Sequence, residues 1–177
     1  MAHPVAAIIQ KADKIVKKYG TRDPYQLAED IGIKIVSCDF KKQRGAYKVI
    51  MQNRFIFLNE NLSPIEKRIV LFHELGHDAL HRQEAVSLGG FQEFELFNMA
   101  DKRMEYEANV FAAQLELDDS EFLEYSKRGY DIQQIASAMN SDINLIALKA
   151  DTLILQGYSL RPQEHRNDFL KYETQSS

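Results

Sequence analysis

The stretch His73-Glu74-Leu75-Gly76-His77 constrains this chain more than any other. Two histidines four positions apart share one face of an α-helix, about 6 Å from each other, so both imidazoles can reach a single ion. The preceding Ile69, Val70, Leu71 and Phe72 are apolar and place this helix in a core. A buried helix carrying two His and a Glu is costly unless those groups have partners. Zinc suits imidazole, and a catalytic zinc uses three protein ligands and keeps a fourth position for water. The pattern therefore predicts His73 and His77 as metal ligands. Glu74, beside the first ligand, is the predicted general base: zinc brings the pKa of its water to about 7, and a carboxylate can then take the proton.

The third ligand must come from elsewhere. Downstream, Glu105, Ala108, Asn109 and Ala112 share one face of a predicted helix over residues 102–117. The two alanines allow that face to pack closely against the zinc helix. Glu105 can then reach the metal. Asn109, one turn on, can accept from the free ring N–H of a ligand His. Glu107 points about 200° around the helix from Glu105, so only one of them can be the ligand. Glu105 is preferred, with Glu107 the alternative. His81 lies one turn beyond His77 and is a candidate substrate-site residue, or a surface or capping His at the helix end. Tyr106, Tyr47 and His81 are each candidates to stabilise a tetrahedral oxyanion, and sequence does not choose among them. Asp78 can pair with a cation, with no role forced. His3 and His165 lie in the chain ends.

Around these motifs the chain reads as α+β. Ala7, Ile8, Ile15 and Val16 recur at helical spacing up to Gly20, and Asp23-Pro24 opens a second helix that Gly32 closes. Residues 33–36, 45–51 and 54–58 read as strands, with Gln52-Asn53 as the hairpin turn between the last two. Ser63-Pro64-Ile65-Glu66 is a capping box that opens the zinc helix, which runs to about Leu80. Residues 82–100 contain Gly89-Gly90, lack one period and read as an irregular connection. After the helix over 102–117, Asp118 starts another that Gly129 stops, and a helix pair follows over 131–140 and 141–156. Three strands thus follow two helices, and the rest of the chain reads as helical. The parts of the chain are a metallopeptidase domain over 1–128, a helical appendage packed on the same domain over 129–157, and a polar tail over 158–177.

Composition narrows the partners. The 22 Lys and Arg against 26 Asp and Glu leave a net charge of −4, which disfavours a grip on nucleic acid. Residues 130–149 have the rhythm of a helix-turn-helix, yet from Asp142 to Ile154 the only basic residue is Lys149. Packing or recognition of a protein partner fits that pair better than DNA reading. No apolar run approaches the roughly 18–20 residues of a membrane helix. The N-terminal stretch, with Lys11, Lys14, Lys17 and Lys18, lacks a secretory signal. The lone Cys38 reads as a half-buried strand residue. A cytoplasmic location is expected, without membrane or direct nucleic-acid contact.

These residues together resemble the ImmA/IrrE family of zinc metallopeptidases. The resemblance rests on His73-Glu74-Leu75-Gly76-His77 with Leu80-His81 after it, and on Glu105, Ala108, Asn109, Phe111 and Ala112. It extends softly over Tyr19 to Ala28, Ile31 to Ile35 and Arg54 to Asn59, and spans roughly residues 5–155. One local departure is Leu115-Glu116-Leu117-Asp118, where many members read Leu-Leu-Met-Pro. The resemblance implies a gluzincin-like core, with a small three-stranded twisted sheet packed on the zinc-binding helix and further helices C-terminal, together with one catalytic Zn2+ and a Glu ligand from a later helix, matching Glu105, with Asn109 one turn on. It also implies an intracellular, site-specific protease whose substrate is a helix-turn-helix repressor that keeps a phage or mobile element silent. The alternative is a non-catalytic, metal-containing anti-repressor or regulatory binding protein, although a pure binder has no use for Glu74.

Overall fold

The computed structural model describes residues 4–87 and 102–160. The fold is α+β: among the described residues, seven helices accompany one three-stranded sheet. Two helices come first, α1 (Pro4–Tyr19) and α2 (Pro24–Ile31). The side chain of Asp23 accepts from the Tyr25 N–H, and Gly32 ends α2 in the left-handed conformation, φ +82.

The strands are β1 (Lys34–Cys38), β2 (Gly45–Ile50) and β3 (Asn53–Asn59). Their order is β1-β3-β2, with β3 parallel to β1 and antiparallel to β2. Both β1 and β2 are therefore edges. Tyr47 lies opposite Ile56 and Gly45 opposite Leu58. Tyr47, Ile56 and Leu58 are buried on the inner face, while Phe55 and Phe57 stack on the other face at 6.0 Å.

The hairpin turn sits one residue earlier than the sequence suggested. Ile50 pairs with Asn53, so the loop is Met51-Gln52, both at positive φ (48 and 64). That is the backbone a two-residue hairpin loop requires. A loop at Gln52-Asn53 would shift every cross-strand pair by two and set Tyr47 opposite Leu58 instead of Ile56.

Four further helices follow the long helix α3 (Pro64–Ser87): α4 (Lys102–Glu116), α5 (Asp119–Lys127), α6 (Ile132–Ala138) and α7 (Ile143–Leu155). Ser63 and Glu66 form the expected reciprocal cap at the start of α3. The expected end near Leu80 is corrected. The helix breaks at His81 (φ −126, ψ 22) but resumes to Ser87, because Arg82, Gln83, Glu84 and Ala85 favour helix and Ala85 is buried. Residues 88–100 of the expected connection, and 161–177 of the tail, lie outside the described residues. Asp118, Asp131 and Asp142 each cap a helix, which trims the last pair relative to the sequence reading.

Helix α4 is the hub, packed against α3, α1 and α7. Lys149 of α7 is fully buried and points inward, to Gln114 Oε1 at 2.6 Å and to Asp119. The basic residue of the helix-turn-helix-like pair is thus a core tie between α7, α4 and α5.

Candidate metal centre

The close crossing of α3 and α4 builds the site. A Cβ added at Gly76 would lie 3.1 Å from both the Cα and the carbonyl oxygen of Ala108. Any side chain there would have to push the Ala108 backbone back, and the close approach carries Glu105, one turn before Ala108, to the two histidines. His73 Nε2 and His77 Nε2 are 3.1 Å apart. Glu105 Oε2 is 3.4 Å from His73 Nε2, and Oε1 is 3.5 Å from His77 Nε2. Ligand atoms around a tetrahedral zinc, each about 2.0–2.1 Å from the ion, sit about 3.3–3.4 Å from one another. The donor set therefore fits a metal ion in both chemistry and spacing. Among the described residues it is the cluster of His, Cys, Asp and Glu able to do so.

The electrostatics agree. Burial opposes a charge on His73, but the hydrogen bond and charge of Glu105 outweigh it and raise the His73 pKa. Burial pulls His77 down to about 4, against Glu105. Burial would raise Glu105, yet its bonds to the two histidines hold it far below the usual carboxylate range. Glu105 thus sets an ionised carboxylate against the two imidazoles. Glu74 is buried beside them, and burial pushes its carboxyl up to about 7 despite the opposing effects of His73 and the Tyr47 backbone N–H.

Edge strand β2 runs past Glu74. A Cβ at Gly45 would come within 3.2 Å of Glu74 Oε1 and 2.5 Å of Val70 Cγ1. Glycine leaves the carboxylate its room.

Behind the two histidines stand two supports. His73 Nδ1 donates to Asn109 Oδ1 at 2.8 Å. His77 Nδ1 lies 3.0 Å from His81 Nδ1, whose Nε2 lies 3.0 Å from Glu107 Oε2. His81 is buried, and each ring nitrogen has a protein partner, so it turns neither toward a substrate. Glu105 and Glu107 both reach α3, at different histidines. Tyr106 is half-buried, and its charged neighbour is Asp151 of α7. The Tyr47 hydroxyl donates to Asp78 Oδ1 at 2.7 Å and is committed there.

Asp78 was the residue without a role in the sequence. It is buried and also accepts from Arg54 Nη1 at 3.1 Å and Arg82 Nη2 at 2.7 Å. Arg54 further donates to the Ile31 carbonyl. The network ties the metal helix to β2, β3 and α2. A carboxylate directly after His77, in a buried helix, was the signal that such partners exist. The repeated four-residue spacing of His73, His77 and His81 was the signal for the second support.

Comparison with known proteins gives four findings. The family model for the IrrE N-terminal-like domain, a peptidase family, matches residues 28–150. A protein of Bacillus phage phi105, called uncharacterized immunity region protein 2, is 32% identical over 147 residues, covering 82% of this chain and 90% of that protein. Metallopeptidase ImmA of Bacillus subtilis strain 168 is 29% identical over 138 residues, covering 75% of this chain and 78% of its own. Among solved structures, a Mycobacterium tuberculosis transcriptional regulator superposes with a TM-score of 0.58 at 17% identity, over 82% of this chain and 46% of that one. That last likeness is one of fold.

Proposed function

The chain belongs to the peptidase family of IrrE N-terminal-like domains, and from that premise we propose that it is a zinc-dependent endopeptidase acting on a protein substrate. The proposed substrate is a helix-turn-helix repressor that controls a phage or mobile genetic element. The observation that carries this reading is the convergence of His73, His77 and Glu105 beside the buried carboxylate of Glu74. The similarity to a metallopeptidase and to a phage immunity region protein supports the substrate class.

His73, His77 and Glu105 would hold the ion. When bound, the ion polarises the scissile carbonyl and makes water acidic enough to attack near neutral pH. Glu74 takes the proton of the attacking water on its carboxylate and passes it to the leaving amine. Asn109 keeps the His73 proton on Nδ1 and so leaves Nε2 as a ligand. An extended substrate segment adds to the β2 edge of the described sheet, in register beside Glu74. The helices over 129–157 brace α4 and thereby Glu105. No helix among the described residues is long and apolar enough to cross a membrane, and the reading places the protein in the cytoplasm.

The test is co-expression with a candidate helix-turn-helix repressor, one encoded beside this chain if such a reading frame is found, followed by mass spectrometry. Discrete fragments are expected with the native chain. Glu74→Gln that keeps its zinc should lose cleavage by about 10²–10⁴-fold. Intact repressor in a stoichiometric complex with the native chain would replace this reading with that of a non-catalytic anti-repressor.

A further inference from the structure

His81 and Glu107 form a chain of hydrogen bonds that ends at a proposed ligand. The Nδ1 atoms of His77 and His81 face each other at 3.0 Å. One of them must carry the proton and the other the lone pair, since two N–H groups would repel. Glu107 decides which. Its Oε2 lies 3.0 Å from His81 Nε2, and a carboxylate only accepts. A neutral His81 then has its proton on Nε2 and its lone pair on Nδ1. That lone pair accepts from His77 Nδ1–H, which leaves His77 Nε2 bare. The reverse order would place a hydrogen on His77 Nε2, in the middle of the donor set.

The geometry points to His81 and Glu107 as positioning residues for the metal: Glu107 orients the ring of His81, and His81 fixes the tautomer and ring plane of His77. The inference rests on the metal site of the preceding section. It explains why α4 sends two glutamates to α3. Glu105 reaches the ligand pair, and Glu107, itself flanked by Arg103 at 3.4 Å, reaches the residue behind it. The two histidine ligands are thus supported differently. His73 leans on a neutral amide. His77 leans on an imidazole backed by a carboxylate, an arrangement that raises ligand basicity. The break of α3 falls at His81 itself, where the backbone leaves helical geometry.

The experiment measures zinc affinity of the full chain by competition with a chromophoric chelator. The native chain is measured first, and failure to bind zinc would defeat the metal reading itself. With that binding in hand, His81→Leu should weaken zinc about 10–100-fold, and His81→Gln, whose Oε1 can accept from His77 Nδ1, should recover part of the loss. Glu107→Ala, at a partly exposed position less able to upset folding, should cost about tenfold in the native background and nothing further beside His81→Leu. Nitrogen NMR of the zinc-loaded native chain should find His77 protonated at Nδ1, with that resonance shifted in Glu107→Ala. Native zinc affinity in both single variants, or an equal Glu107→Ala penalty with and without His81, overturns the inference. An unmoved His77 resonance in Glu107→Ala does the same.

Discussion

Gly76 of the metal helix lies against Ala108 of α4 so closely that a methyl group would meet backbone, 3.1 Å from the Ala108 Cα. Glu105 reaches His73 and His77 because of this contact. The spacing between the two helices is therefore part of the site, although neither residue carries any reactive group.

Replacing Gly76 by alanine tests it. Alanine favours helix by about 1 kcal/mol over glycine, while overpacking against an unyielding backbone costs about 1–3 kcal/mol. The second effect should win, leaving Gly76→Ala about 1 kcal/mol less stable by urea unfolding. Zinc affinity should fall as well, because α4 moves with Glu105. A stabilised variant with native zinc uptake would show that the helices can part freely.

Metal removal should be visible as lost stability. A ligand that binds only the folded chain adds about 2.7 kcal/mol at a hundredfold excess over its dissociation constant. Chelator should lower the melting temperature of the native chain accordingly, and zinc should restore it. Glu105→Gln should melt at one temperature with or without chelator. A chelator response as large as that of the native chain would remove Glu105 from the ligand set.

Asp78 tests the network beneath the site. It is 4% exposed and accepts from Tyr47, Arg54 and Arg82. Breaking a buried, paired charge by deleting one partner costs about 3–5 kcal/mol. Asp78→Ala should fall in that range by urea unfolding. A cost below about 1 kcal/mol would mean that water or the remaining groups compensate.

Tyr47 should leave a signature at alkaline pH. Burial, then the bond to Asp78, hold its phenol above the ordinary value of 10.0. The folded chain keeps the proton where the unfolded chain releases it. The stabilisation is therefore fully present below about pH 10 and is lost as pH rises through the higher folded value, at about 1.4 kcal/mol per pH unit. Tyr47→Phe lacks this component. At pH 8 it should be about 1 kcal/mol less stable than the native chain, and the gap should close as pH climbs toward 11. Urea midpoints across that range give the answer; a constant gap would refute the assignment.

Much of the fold was legible because its signals are local. Caps at Asp23, Ser63 and Asp118 each involve residues at most three apart, so they can be read from the chain alone, whereas the caps at Asp131 and Asp142 emerge only with the structure and trim the last helix pair. The turn at Met51-Gln52 was missed by one residue because the register, a property of two paired strands, decides it. The course of α3 past Leu80 was missed because burial of Ala85 depends on what packs there.

The sequence by itself determined the helix that presents His73, Glu74 and His77, since helical periodicity alone puts the two histidines on one face. It also narrowed the remaining acidic donor to Glu105 or Glu107. Only the tertiary structure decided how those two are used, and that His81 stands behind His77 instead of facing outward. It also revealed that Asp78, Arg54 and Tyr47 form one network. The physical reason is distance. Partners within one helical turn follow from backbone geometry, whereas partners on different helices and strands meet only where close packing, here at Gly76 and Gly45, lets the elements touch.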